Sequence, residues 1–94
     1  MEKETEDFYE RLKNELNSSM TWPSEYLFKF IVPSESNKIE KVENAFDQMG
    51  AVIETKHSKT GKYTSISINV QMQEAQEIID KYLELSTIEG IISL

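Results

Sequence analysis

The chain has no cysteine, one histidine, two prolines and three glycines in 94 residues, and Arg11 is its single arginine. Each shortage excludes something. Without cysteine there is no disulfide staple, no thiol nucleophile and no thiolate ligand. His57 alone, with scattered carboxylates, falls short of the three or four good ligands that zinc needs. One arginine leaves little with which to build a bidentate phosphate or carboxylate clamp. Gly50, Gly61 and Gly90 stand far apart, so neither a dinucleotide fingerprint nor a P-loop is present. Apolar runs last only a few residues, too short for a bilayer span. The opening MEKETEDFYERLKNEL is charged throughout and lacks the apolar stretch of a signal peptide. The expectation is a soluble cytoplasmic domain with no cofactor, no metal and no membrane association.

Basic charge is also scarce. Ten lysines and arginines against seventeen acids give a net charge of −7. Nucleic-acid affinity rests largely on cationic contacts to phosphate, so DNA and RNA are excluded as general partners. Ninety-four residues suit one small domain, in which roughly 60–65% of the unfolded surface is buried. The core is therefore adequate but thin.

The most regular segment present is SKTGKYTSISINV, residues 58–70. Thr64, Ile66, Ile68 and Val70 point one way and Tyr63, Ser65, Ser67 and Asn69 the other, which predicts a strand with one core face. Lys59-Thr60-Gly61-Lys62 is a hairpin turn with Gly61 at positive φ, joining this strand to an alternating one over residues 51–57. Tyr26-Leu27-Phe28-Lys29-Phe30-Ile31-Val32 is apolar on both sides, which predicts a central strand meeting protein on both faces. Pro33 stops it.

Three helices are predicted. Phe8, Leu12 and Leu16, with Tyr9 beside them, form a short stripe that ends before Trp22-Pro23. Ile39, Val42, Phe46 and Met49 form the second, opened by an Asn37/Glu40 capping box and closed at Gly50. Ala75, Ile78, Ile79, Tyr82 and Leu83 form the third. A last strand runs from Ile88 to Leu94, with Ile88, Ile92 and Leu94 as its core face.

After a helix and linker over residues 1–24, residues 25–94 thus read strand, helix, strand, strand, helix, strand. That is the ferredoxin-like βαββαβ plan of the α+β class: a four-stranded antiparallel sheet with both helices on one face. Leu27, Ile31 and Ile91 would lie on the other, open face. The N-terminal helix is expected to cover it through Phe8, Leu12 and Leu16, a second subunit being the alternative cover.

Catalysis finds little footing. His57 and the adjacent Ser58 follow no nucleophile-elbow pattern, and Glu40, Glu43 and Asp47 share a helix face in the manner of solvated carboxylates. Lys56, His57, Lys59 and Lys62 make the one concentrated positive patch, a candidate contact, helped by Thr60 and Tyr63, for an anion or an acidic partner. Its plainer role is to guard a strand edge against pairing. Four-stranded RNA-binding modules stack bases on outward aromatics; here Tyr63 stands alone with Ser65 and Ser67 beyond it, which argues against RNA.

Trp22-Pro23, the YLFKFIV strand, SKTGKYTSISINV and the closing IEGIISL together resemble the YbeD-like family of small bacterial domains, over roughly residues 20–94. The resemblance implies a ferredoxin-like fold similar to ACT-type regulatory domains, with no catalytic residues to carry over. By analogy of fold, a small metabolite or partner protein would meet the loop carrying Pro33, Ser34, Ser36 and Asn37. The expected function is a non-catalytic regulatory or protein-interaction module. The alternatives are a small enzyme of acylphosphatase-like topology and a purely structural homodimer. The enzyme reading suffers because the loop VPSESNK has neither an arginine nor a glycine-rich cradle.

Overall fold

The computed structural model describes residues 3–94. Its elements run α1 (Lys3–Ser19), β1 (Ser24–Pro33), α2 (Ser36–Ala45), β2 (Val52–His57), β3 (Tyr63–Met72), α3 (Ala75–Leu85) and β4 (Ile92–Ser93). The strands form one antiparallel sheet in the order β2-β3-β1-β4. This is the expected βαββαβ plan with an added N-terminal helix. No helix among the described residues is long and apolar enough to cross a membrane.

Period-2 alternation sets the register. Phe28 faces Ile68 and Phe30 faces Ile66 across β1 and β3, and all four are fully buried under the helices. The β3 alternation holds from Thr64 through Met72, every even-numbered residue being buried. Ala75, Ile78, Ile79, Tyr82 and Leu85 turn the buried stripe of α3 onto this surface. An aromatic cluster occupies the centre: Phe28 meets Tyr26 at 4.8 Å, Phe46 at 5.0 Å, Tyr82 at 5.3 Å and Phe30 at 5.9 Å between ring centroids. The Tyr26 and Tyr82 hydroxyls hydrogen-bond at 2.8 Å. Burial first, and then this bond, push the Tyr82 phenol well above its ordinary range, so it stays neutral. Lys81 bridges the helices by donating to the Ala45 carbonyl while its ammonium lies 5.4 Å from the Phe46 ring.

Four expectations need correction. The N-terminal helix does not cover the open sheet face. It packs beside α3 in the helix layer, with Leu16 buried and Tyr9 and Leu12 half-buried, while Phe8 is 55% exposed. An apolar stripe requires a helix to dock, but two apolar surfaces were on offer. The one beside Tyr82 and Tyr26 is aromatic, and α1 lays Tyr9 and Leu12 against it. In consequence β1, although central, is not covered on both sides: Leu27 is 58% exposed.

The phase of the last strand is also shifted. Ile92 pairs with Ile31 and is exposed, Leu94 is exposed, and Ile91 packs against the core. A one-residue slip sends every side chain to the opposite face. Ile88 is buried as expected, but in the turn before the strand. Finally, α2 begins after Glu35, not at an Asn37 cap, and no side chain caps it. It also ends at Ala45, and Gly50, with φ of 71°, closes the turn that follows.

Candidate functional site

The loops after β1 and between β2 and β3 meet at one end of the sheet, because Pro33 pairs with Tyr63 and His57 with Thr64. There the Ser34 N–H donates to the Lys62 carbonyl at 2.9 Å, and the Ser58 N–H to the Tyr63 carbonyl at 2.8 Å. Gly61, at φ of 75°, lets the chain reverse between them.

Thr64 is the hub of this end. It is fully buried, and its hydroxyl lies 2.8 Å from Ser34 Oγ and 2.9 Å from His57 Nδ1. A threonine hydroxyl has one hydrogen to give and two lone pairs, so both neighbours are satisfied by one buried oxygen. In the sequence Thr64 falls on the core face of an apolar strand. A lone hydroxyl in such a series is the available signal for a buried polar contact. Replacing Thr64 with Val keeps the shape and removes both bonds. The expected loss is about 1–3 kcal/mol of unfolding free energy in urea titration. Thr64→Ser should recover most of it; equal losses in the two variants would show that packing, not the hydroxyl, matters.

The remaining candidate residues are distributed as follows. Pro33 and Ser34 are half-buried; Ser36 and Asn37 are exposed on the first turn of α2 and stay outside the network. Glu35, which opens that helix, pairs with Lys38 at 2.8 Å. The chain thus supplies its own negative charge where a helix N-terminus attracts one. Lys56 and His57 are exposed on β2, and Lys59 and Lys62 are exposed in the hairpin loop. Tyr63 is 47% exposed. On the open face Ile31, Lys56, Tyr63 and Ser65 line a shallow groove of about 210 Å³ that also borders His57 and Ser58, the His57 ring itself turning to Thr64 on the core face. Ile31 joins it only through strand pairing, opposite Ser65.

Ser34, Thr64 and His57 form a chain of hydrogen bonds, and among the described residues no carboxylate bonds the imidazole as in the relay of a hydrolytic triad. Among the described residues, no three His, Asp or Glu side chains are grouped to hold a metal ion. Neither ion pair among the described residues, Lys38–Glu35 or Lys81–Glu84, includes a hairpin lysine. Its lysines therefore face solvent with their charge uncompensated by contact.

The family model DUF493, described as a protein of unknown function, matches residues 17–94. The chain belongs to the DUF493 family. This agrees with the YbeD-like resemblance read from YLFKFIV and SKTGKYTSISINV, and the match takes in every element after α1 together with the end of α1. The solution structure of HP0495 from H. pylori is similar in fold to this DUF493 chain, with a TM-score of 0.63 at 15% identity. The similarity covers 81% of this chain and 86% of that one. No curated protein sequence matches.

Proposed function

We propose that this DUF493 protein is a non-catalytic interaction module that docks an acidic segment of a partner protein on its hairpin end. The observation that carries the reading is the meeting of Lys56 and Tyr63 in one groove with the apolar Ile31. Lys59 and Lys62 stand beside it on a chain of net charge −7. A like-charged protein surface repels acidic partners at long range, so a local cluster of cations defines where such a partner is tolerated. Phosphate-specific recognition is disfavoured because the cluster contains lysines and no arginine fork. A regulatory role is what the resemblance to ACT-type domains implies, and it would share the same surface.

The test is the Lys59→Glu/Lys62→Glu double variant used as bait in cytosolic extract beside the native protein. Both side chains are exposed, so the fold should be kept. A partner captured by the native protein should bind the variant at least tenfold more weakly, about 1.4 kcal/mol. The weakening should shrink in high salt. An unchanged set of partners would reduce the hairpin to a protected strand edge.

A further inference from the structure

The sheet has two edges, and they are not alike. β2 forms one, and its exposed residues are charged or polar apart from Val52. The other edge is shared between β4 and β1. β4 covers only Phe30 and Ile31, and the Leu94 N–H reaches the Lys29 carbonyl at 2.9 Å. In an antiparallel ladder the backbone groups of alternate residues point to the same side. If Lys29 turns its carbonyl to β4, then Leu27 and Glu25 turn their N–H and C=O groups out along the same edge. No strand pairs with them there among the described residues. The Glu25 carbonyl meets only the adjacent Ser24 hydroxyl, at 3.5 Å.

Beside this bare edge lies an apolar groove of about 250 Å³ between α1 and the sheet. Phe8, Tyr9, Leu12, Tyr26, Tyr82 and Leu94 line it. Phe8 and Leu94, at 55% and 66% exposed, leave it open to solvent. We infer that this edge and groove accept an extended peptide, of alternating apolar character and carrying a lysine or arginine, as a strand added to β1 in line with β4. Unmet backbone groups supply the ladder, and a groove on one face supplies a side-chain pocket; this is the pairing on which strand addition depends.

Register defines the peptide. Continuing the β4 pairing, successive residues stand opposite Phe28, Leu27, Tyr26 and Glu25. The one opposite Tyr26 points into the groove and is bulky and apolar. Its neighbour opposite Leu27 lies on the open face beside an exposed leucine and is β-branched. The one opposite Glu25 is cationic, since opposite charges stabilise a cross-strand pair and like charges oppose it. The net charge of −7 favours the same sign.

The probe is the blocked peptide acetyl-Thr-Val-Phe-Lys-Thr-amide, its first threonine opposite Phe28, titrated into the isotopically labelled protein and followed by NMR. Binding should shift and protect the Leu27 and Glu25 amides and shift the Phe8, Leu12 and Tyr82 side chains. Replacing the peptide's lysine with glutamate should weaken binding at least fivefold, and Glu25→Lys in the protein should restore that altered peptide. Leu27→Pro removes the outward N–H and also fixes φ there, so it is read at the Glu25 amide, whose protection should be lost while the β1–β3 amides keep theirs. Phe8→Ala, on an exposed side chain, tests the groove without touching the ladder, and should weaken binding severalfold. Shifts that miss the Leu27 and Glu25 amides, or indifference to the charge swap, would overturn the inference. So would protection of those amides that grows with protein concentration alone, which would assign the edge to a second copy of the chain.

Discussion

Replacing Phe28 with Ala is expected to remove a large share of the stability of this domain. Phe28 is fully buried and is the ring that touches Tyr26, Phe30, Phe46 and Tyr82 at once. Its loss would leave a cavity walled by β1, α3 and the turn after α2, and phenylalanine-to-alanine changes at such sites cost about 3–5 kcal/mol. A domain of this size holds about 5–14 kcal/mol in total. With about 4–8 °C of melting temperature per kcal/mol, the fall should be roughly 15–35 °C by calorimetry. Phe28→Leu, which refills most of the volume, should lose well under half as much. A Phe28→Ala protein melting within a few degrees of the native one would mean that the four surrounding rings close the gap. The cluster would then not be the keystone its contacts imply.

Gly90→Ala should be the second large effect, and its cause is separable. Gly90 has φ of 83°, and a β-carbon built there would lie 2.9 Å from Pro33 Cγ and 3.2 Å from Pro33 Cδ. The left-handed conformation alone costs an L-residue about 1–2 kcal/mol. Pressing a methyl group into a proline ring adds about 1–3 kcal/mol, because the ring is rigid and sits at the end of the central strand. Gly61 is the internal control: its φ is 75°, but a β-carbon there would meet nothing within 4 Å. Gly61→Ala should therefore show the conformational cost without the clash. The turn at Gly90 delivers β4 to β1, so the clash should also loosen that pairing. Hydrogen exchange at the Leu94 amide, which is bonded to Lys29, should speed up in Gly90→Ala and not in Gly61→Ala. Equal destabilisation by the two substitutions would remove the Pro33 contact from the account.

Both results bear on function through the sheet ends. Pro33 adjoins Ser34 and the Thr64 hub, so a displaced Pro33 ring would disturb the hairpin end. β4 also sets the line along which a strand added to β1 would run.

The candidate site was legible in part. The lysine cluster and Tyr63 are adjacent in sequence, and a hairpin keeps such neighbours together. Ser34 joins them across thirty residues of separation through its bond to Thr64, and only strand register brings that about. Ser36 and Asn37 share a loop with Ser34 by analogy of fold, yet they belong to a helix turn that the Glu35–Lys38 pair already complements.

From the amino-acid sequence alone came the β3 alternation, the Gly61 hairpin, the stripe of α3 and the βαββαβ order, because each depends on periodicities of neighbours within one element. Tertiary structure alone decided three things. It chose the helix layer over the open face for α1, since an amphipathic stripe specifies burial without naming the surface. It set the phase of β4, because Ile88, Ile91, Ile92 and Leu94 fit either parity in so short a strand. And it made Thr64 a buried junction, because a hydroxyl on a core face has no meaning until Ser34 and His57 are brought to it.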